Sequence, residues 1–195
     1  MMKRKIEILI NPFIRFAGMQ ALAWGGLGLI ISTLLSWASG YHYHGLLHFG
    51  PAPNPAWWCY LAEHLIVWLV PATLFYLGGL FFSHSRIRII DVLGTVLFAQ
   101  LPMLVMNLIN FLPPMQVLAQ IDPAMSPAEM LSMPYFHLAI VLSLIGFPFL
   151  VFSIIWMVQA LKVSCNLKKS HLWIVAAIGI LGGDVLCRIL IRLLY

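Results

Sequence analysis

The chain alternates between long apolar runs and short polar connections, and five of those runs are long enough to cross a bilayer. They fall at about residues 13–37, 57–82, 88–112, 135–161 and 172–194. About 20 apolar residues rising 1.5 Å each span a hydrocarbon core of about 30 Å. The expected fold is therefore all-α: a polytopic membrane protein, one domain over 1–195, built as a single bundle of five helices. A short N-terminal segment precedes it, basic at Lys3, Arg4 and Lys5 and apolar from Ile8 to Ile10. It is too short for a signal peptide and has no small-residue cleavage site, so it reads as interfacial. Asn11-Pro12 then marks a helix start, Asn as cap and Pro in the first turn.

Polar connections give the expected orientation. Lys3, Arg4, Lys5, Arg15, Arg86, Arg88, Lys162, Lys168 and Lys169 are nine of the eleven Lys and Arg, and all lie in or beside alternate connections. Cationic loops stay in the cytoplasm, so the N-terminus is expected there and the C-terminus outside. Arg188 and Arg192 are the exceptions, near the external end of the fifth run.

Composition agrees: 62% hydrophobic residues, 9% charged and a mean hydropathy of +0.97, against roughly 25% charged in soluble domains. The net charge of +5 then reports topology, and no basic stretch is interleaved with exposed aromatics, so no nucleic acid is expected as partner. Cys59, Cys165 and Cys187 are far apart and form no disulfide framework.

The third run opens Arg86-Ile-Arg88-Ile-Ile-Asp91. Arg86, Arg88 and Asp91 form a charged cytoplasmic entrance, where Asp91 pairs with Arg86, Arg88 or Arg15, or else serves as a helix-start acid. The Arg88-Ile-Ile-Asp91-Val-Leu-Gly94 entrance with Pro102 after it, the five closely spaced spans, the very short N-terminal tail and the Gly40-Tyr41-His42-Tyr43-His44-Gly45 turn resemble the Yip family of Ypt/Rab-interacting membrane proteins, in particular its short bacterial members. The resemblance covers roughly Asn11 to Leu190. It implies a non-enzymatic membrane protein of the bacterial cytoplasmic membrane, a scaffold that organises membrane or recruits a protein partner on its cytoplasmic face, and it carries over no catalytic residue.

Charges within the spans supply the other candidate chemistry. Glu63 lies about 9 Å inside the Trp57 interface, and Asp184 lies about 20 Å from the inner face, which places both carboxylates at one depth. Arg188 follows Asp184 at i,i+4. An unpaired ion there is costly, so Arg188 is expected to bridge Asp184 and Glu63 in the bundle interior. The surplus negative charge is met by a protonated carboxyl, a cation or His64. The resulting cluster of Glu63, His64, Asp184 and Arg188 is either a structural clasp or the proton or cation site of a small transporter or channel. Pro71, Pro102 and Pro148 bend three spans at similar depth, which favours a cavity over a solid bundle.

Residues 40–55 read as a loop carrying His42, His44 and His48. Imidazoles at this spacing can ligate zinc or copper, but no Cys or carboxylate joins them locally, so no metal and no cofactor is expected. Neither nucleophile–base pairs nor a phosphate-cradling glycine loop stands in the sequence, and the expectation is no enzyme. Oligomeric state cannot be read from these patterns.

Overall fold

The computed structural model describes residues 7–52, 55–122 and 124–195. The basic N-terminal residues 1–6 lie outside them, so only the apolar half of the expected interfacial segment is seen. It is helical over residues 7–10 and tied down by Trp156 Nε1, which donates to the Leu9 carbonyl at 2.9 Å. Asn11 does cap a turn, its side chain accepting from the Phe13 N–H, but that turn is a 3-10 element, Pro12–Ile14. The first long helix, α1, begins later, at Gly18–Ser39, because Gly18 takes a φ of 53° and redirects the chain.

A hairpin follows where a plain loop is expected. Strands β1 (Tyr41–Tyr43) and β2 (Phe49–Pro51) pair antiparallel, with His42 opposite Gly50. Gly40, at φ 70°, ends α1 and starts the hairpin. Helix α2 runs over Trp57–Phe82. The third run is two helices, α3 (Ile89–Phe98) and α4 (Met103–Asn110). A 3-10 segment, Pro113–Gln120, and a short helix α5, Pro127–Ser132, cross the same end of the bundle as the hairpin. Helix α6 spans Phe136–Ser164. The last run is α7 (Lys169–Ala177), a π-helical turn (Ile178–Gly182) and α8 (Gly183–Arg192). Five helical stretches are thus long and apolar enough to cross a membrane.

The third stretch is central: α3 packs against α1, α2 and α6, and its contact with α1 is the most extensive in the protein. Small residues set that distance. A Cβ at Gly25 would stand 2.8 Å from the Phe98 backbone nitrogen, and one at Gly94 would stand 2.6 Å from the Gly18 carbonyl. Helices in lipid associate by such close packing, since burial of apolar surface gives them little there. Gly179, in the fifth stretch, likewise lies against the Phe75 ring. Large apolar side chains point outward, Leu144 at 67% exposure and Phe147 at 58%, while Asn107 and Ser153 are buried.

At Pro71 and Pro102 the freed carbonyls are taken up by side chains instead of lining a cavity. Pro71 lacks an N–H, which leaves the Val67 carbonyl without its helical partner; Gln100 Nε2 donates to that carbonyl at 2.9 Å. Pro102 breaks the third stretch, and Ser153 Oγ donates to the freed Ala99 carbonyl at 2.8 Å. In hydrocarbon every backbone polar group needs a protein partner, so these side chains let the prolines stay. The space beside Gly25, Ser32, His64 and Gln100 holds only about 10 Å³, at most one water.

Candidate functional site

The hairpin is drawn into the bundle by the two intramembrane carboxylates. Glu63, fully buried on the second turn of α2, accepts at Oε1 from His42 Nδ1 at 2.8 Å and from the Tyr195 hydroxyl. Its Oε2 accepts the Tyr43 backbone N–H at 3.2 Å. Asp184, on the first turn of α8, accepts the Leu47 backbone N–H at 2.9 Å. Its other oxygen takes Arg188 Nε at 2.9 Å and Nη2 at 2.8 Å. Glu63 thus holds the first strand, and Asp184 holds the tip. Charged acceptors on backbone N–H groups make strong hydrogen bonds where water is scarce.

Close approach at the tip requires glycine. A Cβ on Gly45 would lie 2.7 Å from Arg188 Cγ and 2.8 Å from Asp184 Oδ1; one on Gly50 would lie 2.7 Å from His44 Nε2. Just before Asp184, the π turn adds a residue to one helical turn and shifts the face of all that follows. Gly179 therefore meets Phe75 while Asp184 and Arg188 meet the hairpin.

The expected polar cluster divides into separate groups. Arg188 pairs with Asp184 at i,i+4 but does not bridge to Glu63, because the hairpin comes between the two acids and His42 and Tyr195 take the place expected of the arginine. His64 does not compensate Glu63 either. One residue further along α2, it points to another face: Nδ1 donates to the Tyr60 carbonyl at 2.7 Å and Nε2 is hydrogen-bonded with Ser32 Oγ at 2.8 Å. Asn107 Nδ2 donates to the same Ser32 oxygen, so α1, α2 and α4 share one polar knot.

His42, His44 and His48 do converge, on a pocket of about 290 Å³ completed by Arg188, Ile191, Arg192 and Tyr195. His42 and His44 meet edge to face, ring centroids 4.2 Å apart. A metal does not suit this arrangement. Arg188 Nη2 stands 2.7 Å from His48 Nδ1, a fixed cation where a second would be repelled, and His42 Nδ1 is turned to Glu63. Among the described residues no group of three His, Cys, Asp or Glu side chains is disposed to hold one.

At the opposite end, Arg86 and Arg88 are exposed and Asp91 is half-buried. Asp91 makes no ion pair with Arg15, Arg86 or Arg88 among the described residues. It sits in the first turn of α3, where the helix dipole favours an acid, with the start of α1 at Gly18 against its carboxylate. Tyr195 and the hairpin backbone are the site members that sequence reasoning missed. The alternation Tyr41-His42-Tyr43 between Gly40 and Gly45 is the signal that could have found the hairpin; Tyr195 had none.

Among known proteins, a family model described as the Yip1 domain matches residues 6–187. The searches of curated proteins and of solved structures return no match.

Proposed function

The chain belongs to the Yip family and is an integral, multi-pass membrane protein, and from that premise we propose that it is a non-enzymatic scaffold that organises membrane or recruits a protein partner at its Arg86–Asp91 face. One observation carries this reading: several side-chain donors and acceptors within the spans are turned onto neighbouring helices. Gln100 goes to Val67, Ser153 to Ala99, Trp68 to Leu93, and His64 and Asn107 to Ser32. A transport path needs polar groups facing a continuous cavity, and here the space beside Ser32, His64 and Gln100 holds about 10 Å³. We place the Arg86–Asp91 end in the cytoplasm of a bacterial cell, with the hairpin and the C-terminus outside, because nine of the eleven Lys and Arg fall, in sequence, in or beside the connections assigned to that side.

Reporter fusions after Ser85 and Ser164 then behave as cytoplasmic, and fusions after Gly50 and Ser126 as external; an external signal at Ser164 overturns the orientation. For the scaffold itself, the tagged protein is recovered from native membranes beside an Arg86→Gln/Arg88→Gln variant. A partner lost only from the variant, at unchanged thermal stability, supports recruitment.

A second reading, a small transporter, draws on the pocket of about 290 Å³ that ends beside Glu63. Proton or ion flux into liposomes that Glu63→Gln abolishes without loss of folded protein would favour it and would sink the scaffold.

A further inference from the structure

The pocket at the hairpin end has a chemical character that neither the clasp nor the scaffold uses. Two guanidinium groups, three imidazoles and a phenol converge on about 290 Å³, and no Asp or Glu side chain is among the described residues that line it. Glu63 and Asp184 lie behind the wall, already engaged by His42, Tyr195, Leu47 and Arg188. Arg192 is exposed and forms no ion pair among the described residues. Arg188 spends Nε and Nη2 on Asp184 and His48, and its Nη1 has no partner among the described residues.

His42 is only 2% exposed, and with Nδ1 fixed on Glu63 its Nε2 is left buried without a hydrogen-bond partner among the described residues. Buried polar atoms are nearly always satisfied, and with Nδ1 donating the neutral ring leaves Nε2 as an acceptor, so this atom calls for a donor such as an ordered water and is not counted among the groups that would hold an anion. Asp184 holds Arg188 in place, and the glycine at position 45 lets the hairpin lie against both, so the cationic wall is built before any ligand arrives.

We propose that this pocket binds a phosphate-class oxyanion. Donors approach from α8 and from the hairpin, more of them than the two oxygens of a carboxylate can accept. The tetrahedral oxygens of a phosphate suit such a set, and arginine forks pair with them in a bidentate way. The volume exceeds that of a bare ion and one wall is Ile191, so two sources share the chemistry: free phosphate with its small esters, or the headgroup of an anionic phospholipid. The inference stands apart from the scaffold reading, which concerns the opposite end of the bundle.

The test uses the full chain in nanodiscs of phosphatidylcholine and follows intrinsic tryptophan fluorescence and thermal stability. Inorganic phosphate and glycerol 3-phosphate are titrated in one arm, and phosphatidylglycerol is mixed into the disc in the other. Saturable stabilisation by the soluble anions identifies the first source; saturable stabilisation by phosphatidylglycerol alone identifies the second. Arg192→Gln weakens whichever binding is seen by about tenfold, the usual worth of a charge-assisted hydrogen bond, and Arg192→Lys restores part of it. Lys168→Gln, at the other end of the bundle, leaves it unchanged. Absence of saturable binding in both arms overturns the proposal. So does binding indifferent to Arg192→Gln, or acetate competing as well as phosphate. Because Arg192 is exposed and forms no ion pair among the described residues, its variants are expected to remain folded, and the unchanged Tm of Arg192→Gln without ligand checks this.

Discussion

Replacing Glu63 with Gln keeps the shape of the side chain and removes only its charge and one acceptor, so it measures how far the carboxylate holds the hairpin in the bundle. Three donors converge on Glu63: the His42 ring, the Tyr195 hydroxyl and the Tyr43 backbone N–H. A glutamine offers one oxygen. Turned to His42 and Tyr195, it sets its amide hydrogens against the Tyr43 N–H, leaving a buried donor unmet at about 1–3 kcal/mol. The bonds that remain lose their charge assistance, worth about 1 kcal/mol more. A total near 3 kcal/mol corresponds to a Tm lower by about 6–12 °C for a chain of this size. Thermal unfolding in detergent, followed by tryptophan fluorescence and by retention of the folded peak on size exclusion, reads it directly. Combining Glu63→Gln with His42→Ala should cost less than the two changes added, because each removes the other's partner. A Tm within 2 °C of wild type, by an estimate resting on the same scaling, would refute the reasoning and mean that the hairpin is held elsewhere.

Other outcomes follow from the same geometry. Gln100→Leu should destabilise by about 1–3 kcal/mol by orphaning the Val67 carbonyl, and much less in a Pro71→Ala background, whose new N–H meets that carbonyl; equal losses in both backgrounds would contradict the pairing seen between Gln100 and Pro71's turn. Gly45→Ala should lower the Tm, since its Cβ meets Arg188 and Asp184, whereas Gly26→Ala, with nothing within 4 Å, should be neutral or slightly stabilising. His44 is open on one edge, but partial burial first and then the neighbouring His42 hold its pKa below the ordinary imidazole value. A depressed histidine favours the neutral form in the folded state, so its contribution is present above about pH 6.5 and fades as pH falls below it. His44→Gln should accordingly flatten the acid side of the Tm–pH curve, and an unchanged curve would count against that assignment.

Membrane class and span number are local properties of this chain. A run such as Trp57–Phe82 must cross lipid because no other solvent accepts it, and lipid demands a helix since it offers no hydrogen bonds to the backbone. The i,i+4 pair of Asp184 and Arg188 was legible for the same reason: both partners ride on one helix, and 3.6 residues per turn brings them together. The partner of Glu63 was not. Depth along the membrane normal can be counted from sequence, but direction around a helix axis depends on the neighbouring helices, and two carboxylates at one depth need not face each other. Here the hairpin lies between them, and its register places His42 on one and Leu47 on the other. The π turn added a second displacement, rotating Asp184 away from the face that carries Gly179. Pro71 and Gln100 show the same limit. The missing N–H is written at Pro71, but only the packing of the third stretch against α2 decides that an amide 29 positions away, Gln100 counted from Pro71, supplies the donor. Sequence alone determined that five helices lie in a membrane with polar groups needing partners; tertiary packing decided which partners they have, because those contacts join residues that no helical period relates.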